Sequence, residues 1–143
     1  MLALQEKGSL RRHLNVLVAG GNKVHGPQDW SVVSTPGAAA QATASKASAG
    51  LNMRHFCTGI YATLTTVGTL QGPIQLNLRD GATGAGTIIW SISLQLPVNG
   101  LAIIAISDLN LPGTANTAMT LEFSAAGVAA SQEAVTLTGY DSA

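Results

Sequence analysis

From Met53 to the C-terminus, apolar and small polar residues alternate along most of the chain. Ile74-Gln75-Leu76-Asn77-Leu78-Arg79 and Trp90-Ser91-Ile92-Ser93-Leu94-Gln95-Leu96 show the pattern most plainly. A period of two puts every second side chain on one face of an extended segment, so these stretches read as half-buried strands. The alternation predicts strands over 54–66, 74–79, 87–96, 101–107, 118–124 and 134–140, separated by turn formers such as Gly72-Pro73, Asp80-Gly81 and Leu111-Pro112-Gly113. Asn99-Gly100 lies between two apolar runs and predicts a hairpin, because both residues accept positive φ. Short strands at this spacing predict an all-β fold: an antiparallel β-sandwich, jelly-roll-like or another Greek key. Its inward set is Ile60, Ala62 and Leu64; Ile74, Leu76 and Leu78; Trp90, Ile92 and Leu94; Met119, Leu121 and Phe123; and Val135 and Leu137.

Residues 1–50 have a different texture. Short strands are predicted over 14–19 and 30–33, broken by Gly20-Gly21, Gly26-Pro27 and Pro36-Gly37. Residues 38–49 are almost entirely Ala, Ser, Thr and Gln, with no large apolar residue to anchor a helical face. They read as an extended arm or edge strand, although alanine favours helix. The division is therefore an extended N-terminal arm over 1–50 and a sandwich domain over 51–143.

Composition changes this picture in two ways. Only 10% of the residues are charged and the formal net charge is zero, which weakens repulsion between neighbouring molecules and favours association. The zero also hides an asymmetry. Up to residue 54, Lys7, Arg11, Arg12, Lys23, Lys46 and Arg54 oppose only Glu6 and Asp29, whereas beyond it Arg79 stands against Asp80, Asp108, Glu122, Glu133 and Asp141. The front is basic and the back acidic. A single cysteine forms no intrachain disulfide, the first residues lack the apolar stretch of a secretory signal, and the apolar run 101–106 is too short to span a bilayer. These features lead to the expectation of synthesis in a cytoplasm and no membrane partner.

Chemistry-bearing residues are few. His13, His25 and His55 have no metal-ligand spacing, and there is no Cys-x-x-Cys. His55 and Cys57, two apart on a predicted strand, share a face, where a cysteine is ordinarily a small buried hydrophobe. The glycines of Asp80-Gly81-Ala82-Thr83-Gly84-Ala85-Gly86-Thr87 join strand to strand rather than strand to helix, so they are read as hairpin glycines and not as a phosphate cradle. The aromatics do not interleave with Lys or Arg, which argues against nucleic acid as a partner. No catalytic, cofactor or metal site is assigned, and the chain is read as a non-enzyme.

The series Arg54-His55-Phe56-Cys57-Thr58-Gly59-Ile60, then 78–87 beginning Leu78-Arg79-Asp80-Gly81-Ala82, then 116–123, and a closing Val135-Thr136-Leu137-Thr138-Gly139-Tyr140 resembles small virion proteins encoded in tailed-bacteriophage structural regions. The likeness runs over about 30–140. It implies a phage structural protein and transfers no catalytic residue. Small size, a weakly charged surface and an arm suited to strand addition lead to the expectation of a capsid cement or decoration protein. Such a protein would be a homotrimer on the capsid surface, bound to the major capsid protein. Leu2, Leu4, Leu10, Arg11, Arg12, Leu14 and Trp30 are the expected arm contacts. The alternatives are a head fibre, tail or connector component, or a module that binds host glycans through Trp30, Tyr61 or Tyr140.

Overall fold

The computed structural model describes residues 29–143. Nine strands follow one another: β1 (Asp29–Ser34), β2 (Thr43–Lys46), β3 (Arg54–Thr65), β4 (Gln71–Asp80), β5 (Thr87–Leu96), β6 (Leu101–Ile106), β7 (Leu111–Pro112), β8 (Met119–Phe123) and β9 (Gln132–Ser142). The described residues contain no helix. Sheet A has the order β1-β9-β3-β6, with β7 beside the lower part of β3. Sheet B has the order β2-β8-β4-β5.

The pairing is nested. β1 pairs with β9, β2 with β8, β3 with β6 and β4 with β5, all antiparallel. One long folded ribbon has thus been rolled up, and the rolling creates the additional β3–β9 and β4–β8 pairs. This is the jelly-roll form of a Greek-key sandwich. The alternation is the physical reason: each strand has one apolar row, and only two stacked sheets bury all of them at once. Ile60, Leu64, Leu76, Leu78, Leu121, Phe123 and Leu137 are completely buried between the sheets. Each contributes roughly 1.5–3 kcal/mol relative to exposure.

Three details depart from the expectations. Residues 29–50 are not a free arm: β1 and β2 are edge strands of the two sheets, and Ala42 and Ala44 belong to the core. The turn at Asn99-Gly100 does have positive φ at Asn99, yet it is not a hairpin. β5 lies in sheet B and β6 in sheet A, so the turn is a corner between sheets. Thr66, just after β3, holds it: its Oγ1 donates to the Pro97 carbonyl and accepts from Gly100 N, while its own N–H donates to Gly100 O at 3.0 Å. Finally, Trp90, Ile92 and Leu94 face inward as expected but are only partly buried, along with Ala102 and Ile104 across from them. The β5/β6 side of the sandwich is less covered than the β1/β2 side.

A β-bulge at Thr58 resets the phase of β3. Cys57 pairs with Gly139, but the next residue in register is Gly59, opposite Thr138. Before the bulge His55 and Cys57 point inward; after it Ile60, Ala62 and Leu64 do. Gly59 is required there, because a Cβ would lie 2.6 Å from Thr138 Oγ1 and 2.8 Å from the Tyr61 ring.

Candidate assembly surface and buried polar clusters

The bulge places His55 in the interior, 1% exposed, directly opposite Asp141 on β9. Its Nδ1 is 2.5 Å from Asp141 Oδ1, and its Nε2 is 2.9 Å from the Ala47 carbonyl. Trp30 Nε1 donates to the same Asp141 Oδ1 at 2.6 Å. The indole packs edge-to-face on the imidazole, with centroids 5.3 Å apart, and Lys46 Nζ lies 5.9 Å from the Trp30 ring. Trp30 reaches this position because its pair on β9 is Gly139, whose missing side chain leaves room for the ring. Both imidazole nitrogens meet acceptors, so His55 joins β3, β9 and the segment after β2 and has no nitrogen left to activate a substrate.

Trp30 was expected to anchor an arm on a partner, or to form a stacking platform for a glycan. Its N–H is bonded to Asp141 and one side of its ring packs on His55, leaving the residue partly buried. The other expected contacts, Leu2, Leu4, Leu10, Arg11, Arg12 and Leu14, lie outside the described residues.

The other reactive groups are dispersed. Cys57 is fully buried, and burial pushes its thiol up to about 12. Glu133 is buried beside the start of β2; burial raises its carboxyl above the ordinary 4.5, opposed by the N–H groups of Ala42 and Gly127. Glu122, also buried, accepts from Arg79 Nε at 2.6 Å and from Gly84 N at 3.1 Å. That last bond lays the 81–86 loop back over β8, with Gly81, Gly84 and Gly86 all at positive φ, so hairpin geometry accounts for these glycines. Among the described residues no group of three His, Cys, Asp or Glu side chains could hold a metal ion.

The outer faces of the two sheets differ in kind. The outward positions of sheet B are polar: Gln75, Arg79, Ser91 and Ser93, with Asn77, Thr120 and Glu122 buried among them, cross-linked by bonds such as Ser91 Oγ to Asn77 Oδ1 at 2.6 Å. Sheet A presents rows that run Val33-Thr136-Tyr61-Ala105 and Ala134-Thr63-Ile103, with Thr65 beside Leu101. No charged residue lies in these rows. Val33, Leu101 and Ile103 are more than half exposed, at 61%, 61% and 66%. Alternation alone did not reveal this face, because threonines and alanines at outward positions look like ordinary surface. The signal that was available is β6 itself, Leu-Ala-Ile-Ile-Ala-Ile, which does not alternate in polarity.

No family model matches the chain, and no curated protein matches it in sequence. A solved structure described as "Bacillus endospore appendages form a novel family of disulfide-linked pili" aligns at 17% identity over 78% of this chain and 84% of that chain, with a TM-score of 0.26. A score this low establishes neither a shared fold nor a shared role.

Proposed function

We propose that this protein is a structural subunit of a tailed-phage particle, a cement or decoration protein that binds the outer shell and holds neighbouring capsomers together. The observation that carries the reading is the uncharged middle of sheet A's outer face, from Val33 across to Leu101 and Ile103, with Asp29 and Arg54 confined to one end of the sheet. Exposed large apolar side chains such as Val33, Leu101 and Ile103 on an uncharged stretch are better covered by a partner than left in water, and charge depletion is the compositional mark of the centre of an interface. The resemblance of the strand series to small virion proteins agrees with this use, as does the low overall charge. The buried polar cluster of Trp30, His55 and Asp141 ties the chain's first described strand into the sandwich beneath this face. Jelly rolls host many unrelated functions, so the reading rests on this face and not on the fold.

The test is quantitative mass spectrometry of purified particles. A copy number close to that of the major capsid protein supports a cement protein. A few copies per hundred capsid subunits moves the chain to a fibre, tail or connector, and absence from the particle sinks the virion reading. The trimeric state is checked by light scattering on the purified chain. Of the aromatics that a glycan-binding reading would use, Trp30 gives its N–H to Asp141 and packs on His55, while Tyr61 faces outward on sheet A.

A further inference from the structure

Sheet edges expose unpaired backbone groups, and proteins guard them with charge, proline, bulges or shortness. In this sandwich β2 has only four residues and includes Lys46, β1 opens with Asp29, and β5 points Ser91, Ser93 and Gln95 outward. β6 has no guard. It is uncharged, contains no proline, and pairs with β3 without a bulge from Thr65↔Leu101 to Ile60↔Ile106. Among the described residues no strand lies on its other side. Its outward face exposes Leu101 and Ile103, and its inward Ala102 and Ile104 are only partly buried against the core, like Trp90, Ile92 and Leu94 of β5. A strand added here would cover both faces.

We propose that the β6 edge receives residues 14–19 of a second copy of this chain as an added antiparallel or parallel strand. This deepens the assembly reading above, on which it rests, by naming the acceptor edge and the donated segment. Twenty-eight residues precede β1, and within them Leu14-Asn15-Val16-Leu17-Val18-Ala19 matches β6 in length and character. It is uncharged, and paired as a strand it would place Leu14, Val16 and Val18 on one face and Asn15, Leu17 and Ala19 on the other. Main-chain bonds to the edge provide affinity, and alternate side chains entering the β5/β6 opening provide register. Residues 20–28 reach at most about 30 Å, enough to cross to a neighbour. β1 sits at the edge of sheet A opposite β6, with β9 and β3 between, so each copy donates from one edge and accepts at the other. Such a head-to-tail contact closes into a ring or extends as a chain of copies.

The experiment uses two full-length single variants, Val16→Cys and Ile103→Cys, purified, mixed and treated with a short bifunctional maleimide. Cys57 is completely buried and stays out of the reaction. The expected product joins position 16 of one chain to position 103 of the other, and Ile103→Lys in the full chain reduces the oligomer to monomer mass. Ile103 is mostly exposed, so the lysine leaves the fold intact, which far-ultraviolet circular dichroism confirms. Three results overturn the proposal. One is a doubly substituted chain that links only within itself at high dilution. Another is a product joining 103 to 103, which means edge-to-edge pairing of two β6 strands. The third is no product, with a wild-type chain that is monomeric. A 16-to-103 product from a chain that is absent from virions would sink the capsid reading and leave this one standing.

Discussion

His55 and Asp141 face each other in register across β3 and β9, with 2.5 Å between Nδ1 and Oδ1, and the same carboxylate oxygen accepts the Trp30 indole N–H. One acceptor thus serves a buried donor, His55, and a partly buried one, Trp30, on two different strands. Replacing Asp141 by Ala leaves both without a partner, and a buried group stripped of its partner costs more than the bond itself was worth. The expected outcome is a loss of about 2–4 kcal/mol in urea unfolding, with Trp30 fluorescence shifted to the red as β1 loosens. A change below about 0.5 kcal/mol, as at an ordinary surface site, would show that the cluster does not hold β1.

Gly59→Ala tests the bulge. The new Cβ would meet Thr138 Oγ1 and the Tyr61 ring closer than side chains tolerate, so either the bulge moves or the strands separate. Overpacking of this kind costs about 1–3 kcal/mol. Thermal unfolding should show the loss, and Gly59→Ala combined with Thr138→Ala should recover part of it. Equal melting temperatures for wild type and Gly59→Ala would count against the packing described.

Cys57 should be inert. Its thiol is raised to about 12 by burial, against 9.0 for an ordinary thiol, so the folded protein holds the proton more tightly than the unfolded chain. The stability this represents is fully present below pH 9 and is lost as pH rises toward 12. A maleimide at pH 7.5 should label Cys57 in urea and not in the native protein. Cys57→Ala should flatten the alkaline fall in stability; labelling of the native protein within minutes would refute the burial.

Glu133 has the same sign at the acid end. Burial raises its carboxyl above 4.5, so its contribution is present below the unfolded value and is lost as pH rises through the folded one. Glu133→Gln keeps an oxygen for the Ala42 N–H, now 2.7 Å from Oε2, and removes the buried charge. Stability at pH 7 should rise, and the slope between mildly acid and neutral pH should shrink. Unchanged slopes in denaturant titrations at several pH values would show that the carboxyl is well compensated when ionised.

The strands were legible where alternation was strict. Thr87–Leu96 begins and ends where the pattern places it, and the inward members of β3, β4, β8 and β9 are all buried. Cys57 was legible too, because sharing a face with His55 near a row of Ile and Leu implies burial. β2 was harder to read: Thr43–Lys46 has no large apolar side chain, and Ala44, like Ala42 just before it, is buried because β8 and β9 pack against this segment. β7 is two residues long and exists because β6 leaves the lower part of β3 unpaired. The candidate surface was barely legible, since a threonine or alanine at an outward position carries no sign of what lies beside it on the next strand.

By itself the sequence determined that this chain forms strands, which side chains of each strand seek the interior, and that metal or nucleophilic chemistry has few residues to draw on. Those are local properties, set by the two-residue period and by residue type. Only the tertiary structure decided that Asn99-Gly100 turns from one sheet to the other, that Trp30 folds onto Gly139 and Asp141, and that Val33, Tyr61, Ile103 and Leu101 lie on one outer face, in rows without a charge. The physical reason is that turns and strand faces are specified over a few residues. Which strands become neighbours is specified by how all the apolar rows can be buried at once, and that is a property of the whole chain.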